Sequence, residues 1–596
     1  MHRVRRKITL LTALLLALST AGAAAGARVA AYDLSLEVDP AARTVRVHAR
    51  VEVEGEGALV LHLAPFARDI ETVASAPALE TELATEPATG QRGWRLEASG
   101  LERGALLELT YVLEVVPDVE GIALHLGASE GYLLSESAWY PLQLEALLPR
   151  PTPYRLRVRL PEELAAVGGG TVAVEDGATT IRHDLPGRPF FAYGAFARRA
   201  KGALEVWLPP TLAAQADALL ESLEPAVAGL VERYESRFGD ACHVVRLVAV
   251  TRRGGWGAPC ALLLAEDAFA SLAAAEEVGP GSYGFLAHEL AHTWWGNRVV
   301  PGSTAYGLMV EGMANYLSAL AVEDRHGDEA AASMWREWRL DAVSEDALAE
   351  LTVLDDAYYT VAYAKGAWVH RMLADWIGED AYLRALGELA RDASRPELGD
   401  VQARLERASD LDLERFFREW AYGAVYPRYE LDGEAGAWTL RNTGDAATPP
   451  VTLELDGQRV RVTVEPGASR DLSAHTVRID PDGRVLALPA RVDAATRALA
   501  EEVMEQLTAA LDTGEPARVR AVFAERGEAV ETIAGLAGEL VIDDWRLRSA
   551  DDGPPRTLTY QLEATLGGRT LAGPLVLSVD AENEPRTVES VRLNYR

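Results

Sequence analysis

The chain has 11 histidines in 596 residues, and two of them, His288 and His292, stand four residues apart. They lie in the run Phe285-Leu286-Ala287-His288-Glu289-Leu290-Ala291-His292-Thr293-Trp294-Trp295-Gly296-Asn297. On a helix this spacing projects both imidazoles from one face, about a turn apart, and so can place two nitrogens on one zinc ion. Glu289 falls about 100° further round the helix, close enough to act on a water at such an ion without ligating it. A catalytic zinc takes three protein ligands and keeps one position open. Glu311, separated from His292 by eighteen intervening residues and lying in Leu308-Met309-Val310-Glu311-Gly312-Met313-Ala314-Asn315-Tyr316, is the third candidate. A carboxylate among such apolar neighbours is costly to bury unpaired, and coordinating a cation removes that cost. The set reads as His288, His292 and Glu311 on one Zn2+ per chain, with Glu289 as general base of a hydrolysis. Packed structural histidines, with Glu311 solvated or paired to an arginine, are the bland alternative.

The elements that must position these residues can be read around them. From Tyr32 the chain alternates with period two (Tyr32, Leu34, Leu36, Val38, then Val45, Val47, Ala49, Val51, Val53), with a turn at Asp39-Pro40. Similar runs recur at Leu59–Leu63, Leu106–Val115, Tyr154–Leu160 and Thr171–Val174, and strands without intervening helices predict an antiparallel β sandwich over 26–200. Leu212–Phe238 is one helical pattern and Val244–Val250 a β-branched strand, and from Ser282 to Tyr422 the pattern is helical, giving a catalytic region 201–426. A small β module follows over 427–490, then an α+β block over 491–596 with no assigned role. The fold class is therefore multidomain α+β.

Composition narrows the function. A quarter of the residues are charged, 48% are hydrophobic and the net charge is −32, so the chain is globular and acidic and no nucleic-acid partner is expected. Arg3, Arg5, Arg6 and Lys7 precede an apolar run from Ile8 to Leu18 and the small residues Ala23-Ala24-Ala25. This reads as a signal peptide over 1–25, directing a periplasmic or extracellular product. Eleven residues rise only about 16 Å as a helix, short of the ~30 Å hydrocarbon core, and no later stretch is long and apolar enough to span. Export permits a disulfide between Cys242 and Cys260, and two separate thiols are the equal alternative.

These motifs resemble the aminopeptidase N family of gluzincin zinc metallopeptidases, which includes leukotriene hydrolase. The family pattern H-E-x-x-H-x-W-x-G-N, with eighteen residues between its second histidine and the glutamate of N-E-G-F-A, is matched by His288, Glu289, His292, Trp294, Gly296, Asn297, Glu311, Gly312 and Ala314. Tyr363, in Ala362-Tyr363-Ala364-Lys365-Gly366, matches the tyrosine of the family's Y-E-K-G element, and Trp139-Tyr140-Pro141 its W/F-x-P stretch. The resemblance covers about residues 30–490. It implies a thermolysin-like catalytic domain, peptide substrates, and Tyr363 as the hydrogen-bond donor to the oxyanion.

The departures bear on specificity. Where the family has G-x-M-E-N, whose glutamate holds the substrate's free α-amine, this chain has Gly257-Ala258-Pro259-Cys260-Ala261. Gly257 and Ala258 remain as substrate-binding candidates, and Glu136 is either a replacement carboxylate or a polar loop residue. Ser318 stands where the family has a glutamate supporting a zinc-bound histidine. Arg252-Arg253 reads as a solvated turn rather than a substrate clamp, Glu266-Asp267 as a helix start, and Trp368, His370 and Trp376 as core. The primary expectation is an exported zinc aminopeptidase. The alternatives are an endopeptidase or other hydrolase that needs no free amine, and a binding scaffold on the same fold.

Overall fold

The computed structural model describes residues 26–595 apart from 74–76, 87–91, 117–120, 122, 146, 253, 275–276, 354, 356, 393–394, 489–493, 524–527, 552–555, 567–568, 580–585 and 592–593. The signal peptide read over 1–25 lies outside these residues, and no helix among them is long and apolar enough to cross a membrane. The chain divides into two compact units, Met1–Trp338 with Asp346–Phe417, and Arg339–Glu345 with Arg418–Arg596.

The first unit begins with a seven-stranded sheet in the order Thr171–Glu175, Ala178–Gly187, Thr152–Arg159, Arg28–Asp39, Thr44–Glu54, Leu106–Glu114, Ala67–Thr72. The alternation is physical: Tyr32, Leu34, Leu36 and Val38 are buried on one face of their strand, while Asp33, Ser35 and Glu37 face outward. A three-stranded sheet (Gly57–Leu63, Arg92–Leu101, Glu80–Thr85) and a four-stranded one share the same apolar core. One pairing departs from the antiparallel expectation. Arg28–Asp39 and Thr152–Arg159 run parallel, Tyr32 opposite Tyr154, because the chain returns to the first strand by a long crossover rather than a hairpin.

A mixed five-stranded sheet follows, in the order Ala197–Lys201, Leu204–Leu208, Val245–Val250, Ala261–Ala265, Gly255–Ala258. Its central strand Val245–Val250 is buried throughout, which is why its sequence is apolar on both faces apart from Arg246, whose Nε donates to Glu205 at 3.0 Å. Gly255–Ala258 forms the edge. The predicted helix starting at Glu266-Asp267 is present as Glu266–Ala274. Pro280 then opens helix Pro280–Ala291, where its missing N–H costs nothing. That helix is buried on nearly every side, and Tyr234 of helix Ala216–Phe238 anchors it by donating its hydroxyl to Ala287 O at 3.0 Å. Trp368 and His370 lie in the core as expected, on helix Gly366–Ile377.

The second unit contains two three-stranded sheets, Tyr429–Glu434 with Ala437–Asn442 and Ser469–Leu472, and Gln458–Val462 with Val451–Leu455 and Val477–Ile479. Beyond them helix Ala494–Asp512 buries Ala500, Val503, Met504, Leu507 and Leu511, a helical stripe. The stripe shares a core with Leu558, Tyr560, Leu562, Leu575 and Leu577 of an antiparallel sheet.

Candidate metal centre and active site

Helix Pro280–Ala291 carries His288 and Glu289 and ends at His292. Glu311 and Tyr363 each sit on a short π-helical turn, Leu308–Gly312 and Val361–Lys365. The wider turn of a π segment interrupts the regular helical spacing, a device common at functional sites. The two turns aim both side chains at the His288–His292 face.

The convergence is quantitative. His288 Nε2 and His292 Nε2 are 3.3 Å apart, and Glu311 Oε2 lies 3.3 Å from the first and 3.4 Å from the second. Ligand atoms bonded at ~2.0–2.1 Å to one tetrahedral ion stand roughly 3.3–3.4 Å from each other. These residues are also the group of metal-ligating side chains found among the described residues. Glu311 Oε2 is buried without a directed hydrogen bond, as a ligand atom would be. The donor set, two neutral imidazoles and one carboxylate, therefore fits a zinc-like divalent ion.

The outer nitrogens of both rings are held. His288 Nδ1 bonds Asn315 Oδ1 at 2.8 Å, and His292 Nδ1 donates to Trp295 O at 3.0 Å. With each Nδ1 as the protonated nitrogen, each Nε2 presents its lone pair inward. Asn315 also donates from Nδ2 to Tyr363 O at 3.1 Å, tying the tyrosine's turn to the histidine. Asn315 is thus the supporting residue the sequence reading missed. Ser318, where support had been sought, turns its hydroxyl to Asn315 O at 2.9 Å. Asn297 Nδ2 donates to His292 O at 2.7 Å, and Asn297 Oδ1 accepts from Arg188 Nε at 3.0 Å.

Electrostatics suit the candidate roles. Glu289 is buried, and burial raises its carboxyl above the ordinary value, with His288, His292 and Arg252 pulling the other way. Burial also raises Glu311, but the two imidazoles outweigh it and hold that carboxyl below the usual range. His292 is lowered by burial yet pushed up to about 9 by Glu311 and Glu289, so that a cation binding at its Nε2 displaces a proton and leaves the neutral ring as ligand. The Tyr363 ring stacks on His288 at 5.6 Å and 11°, and burial with the nearby Glu311 keeps its phenol protonated.

All of these side chains open on one cavity of about 790 Å³, which also reaches residues of the β sandwich such as Leu63, Leu142 and Leu148. Strand Gly255–Ala258 forms part of its wall and lies directly on the histidine helix. A Cβ at Gly257 would stand 2.2 Å from Glu289 O, and one at Gly255 would stand 2.2 Å from Glu289 Oε1. Only glycine permits this approach.

The substrate-binding candidates separate. Gly257 and Glu136 line the cavity. Ala258 does not: it is fully buried in an apolar cluster with Val248, Val250 and Leu263, because alternate residues of the edge strand face opposite sides. Glu136 already has partners, accepting from Arg188 Nη1 at 2.8 Å and from Ser135 Oγ at 3.0 Å. Cys242 and Cys260 are bonded to one another, which resolves the open alternative. Arg252 is a correction, since it lines the cavity rather than standing in a solvated turn. Arg253 lies outside the described residues.

A histidine helix, a third carboxylate ligand and an adjacent catalytic-type glutamate define a gluzincin-like metallopeptidase site. The comparisons agree. Residues 260–420 match the model of the peptidase family M1 domain. Aminopeptidase M1-B of Oryza sativa subsp. japonica is 30% identical over 168 residues, 25% of this chain and 18% of that protein. Aminopeptidase N of Streptomyces lividans is 26% identical over 239 residues, covering 36% and 28% respectively. The match thus spans less than a third of either relative's length. A crystal structure of Legionella pneumophila aminopeptidase A in complex with aspartic acid shares the fold, with a TM-score of 0.59 at 15% identity over 84% of this chain and 64% of that one. Residues 260–420 are thus similar to the peptidase family M1 domain, in line with the resemblance that the motifs carry.

Proposed function

We propose that the chain is an exported, zinc-dependent metallopeptidase that removes N-terminal residues from peptides. The observation that carries the reading is the spacing of 3.3–3.4 Å among His288 Nε2, His292 Nε2 and Glu311 Oε2, beside a buried Glu289. Export rests on the leader-like residues 1–25 alone. A divalent ion held by these three residues supplies Lewis-acid polarisation of a carbonyl and acidification of a water molecule.

The chain's own residues supply the rest. Glu289, with a carboxyl raised by burial, takes the proton of the attacking water and returns it to the departing amine. Tyr363 stays protonated and donates a hydrogen bond to the oxygen on which negative charge develops. Asn315 and Trp295 O hold the imidazoles in the tautomer that presents Nε2. Strand Gly255–Ala258 brings an open backbone edge alongside the scissile region, where an extended peptide can pair with it.

A second reading, cleavage without need of a free α-amine, is favoured by one observation. Gly257–Ala261 offers no carboxylate, and Glu136 is already engaged by Arg188 and Ser135. The test is Glu289→Gln, assayed on aminoacyl arylamides and their N-blocked counterparts with metal content measured in parallel. Loss of all hydrolysis with zinc retained is expected, and hydrolysis surviving the substitution overturns the mechanism. The blocked and free substrates then decide between the two readings.

A further inference from the structure

Arg252 is the residue that neither the metal centre nor the fold accounts for. It lines the cavity that holds His288, Glu289 and Glu311, within electrostatic reach of Glu289, Glu136 and Tyr132. Its Nε and Nη1 are shielded from solvent and have no hydrogen-bond partner among the described residues. Burial pulls its guanidinium below the usual arginine value, the signature of a charge not fully compensated. Glu136 gives its two oxygens to Arg188 and Ser135, and Glu289, on the histidine helix, reaches Arg252 by electrostatics without a hydrogen bond to it.

The other cations on the wall are satisfied. Arg188 is paired to Glu136 at 2.8 Å, Arg95 to Glu97 at 2.5 Å, and Arg92 is exposed to water. The backbone around Arg252 is tied down, Thr251 N–H donating to Glu130 at 3.2 Å and Arg252 N–H to Val250 O at 2.9 Å. A guanidinium on a cavity wall whose Nε and Nη1 are unused by the fold retains donors and a positive charge that a carboxylate matches.

We propose that Arg252 is a specificity-determining residue that binds a carboxylate of the ligand. The inference uses the peptidase reading only to choose the probes. Two sources of carboxylate suit the site, the C-terminus of a short peptide and an acidic side chain beside the scissile bond.

Binding of tri-alanine against tri-alanine amide, and of Glu-Ala-Ala amide against Gln-Ala-Ala amide, to zinc-loaded Glu289→Gln protein by calorimetry separates the sources. The carboxylate-bearing member of one pair is expected to bind about 10- to 100-fold more tightly, the range of a charge-assisted, partly buried pair. Arg252→Gln, or Arg252→Met if the first variant has a lowered Tm, should reduce that ratio to within about threefold. Ratios near one in both pairs, or a ratio that survives both substitutions, overturn the proposal. Selective binding by the Glu289→Gln protein, with wild-type protein turning over no peptide, sinks the peptidase reading and leaves the carboxylate site standing. Peptide turnover without selective binding does the reverse.

Discussion

Asn315 offers the sharpest test of how the centre is built. Asn315→Leu keeps the volume of the side chain but removes both amide functions. Asn315 is only 8% exposed, so water cannot replace what is lost. His288 Nδ1 loses its 2.8 Å acceptor and Tyr363 O loses its 3.1 Å donor. An orphaned buried donor costs about 1–3 kcal/mol. Loss of a supporting partner to a metal-binding histidine typically weakens the metal by ~10–100-fold, about 1.4–2.7 kcal/mol. Both figures point to the same outcome: zinc affinity down by one to two orders of magnitude, and the metal-free protein destabilised by about 1–3 kcal/mol. Competition against a chromophoric chelator measures the first, and urea unfolding the second. Asn315→Asp keeps the acceptor for His288 and should hold zinc at least as tightly as the wild type. Ser318→Ala should leave affinity unchanged, because that hydroxyl bonds Asn315 O and no histidine. Zinc affinity of Asn315→Leu within twofold of the wild type would refute the reasoning.

Three further outcomes are expected. Tyr363→Phe should lower kcat by about 10²–10³-fold with little change in KM, as for loss of one oxyanion donor, and a near-normal kcat removes Tyr363 from the machinery. Gly257→Ala places a Cβ 2.2 Å from Glu289 O, so the strand must move off the histidine helix, and activity should fall at least tenfold while Gly279→Ala, with nothing within 4 Å, is silent. His370 is fully buried, its Nε2 donating to Leu308 O at 2.9 Å and its Nδ1 accepting from the Tyr382 hydroxyl, and burial lowers its pKa to about 4. Because the unfolded chain then binds the extra proton first, this contribution is complete above about pH 6.5 and is lost as pH falls toward 4, about 3 kcal/mol in all. Urea unfolding of His370→Gln beside the wild type should show a shallower fall over that interval, and equal slopes would contradict it.

How much was legible follows from the range over which each feature is specified. His288, Glu289 and His292 lie within five residues on one helix, and helical periodicity alone sets their directions. Glu311 was recognisable because a lone carboxylate in an apolar stretch needs a reason to be there. The sandwich strands showed themselves because burial on one face imposes period two. Asn315 gave no such signal, since its role exists only when the helix after Glu311 packs beside His288. The parallel pairing of Arg28–Asp39 with Thr152–Arg159 was likewise hidden, because alternation says which face is buried but not which strand is the neighbour.

Arg252 and Ala258 mark the same boundary. Two adjacent arginines before Gly254-Gly255 look like a hydrated turn to any local rule, yet the fold turns one of them onto the cavity wall. Ala258 follows Gly257 directly and still faces the opposite side. What the amino-acid order determined alone was the kind of chemistry, through residue types at short spacings on regular elements. The partners of those residues, the disulfide and the charge of the substrate cavity were decided by tertiary packing, because contacts between segments distant in the chain exist only once their elements have docked.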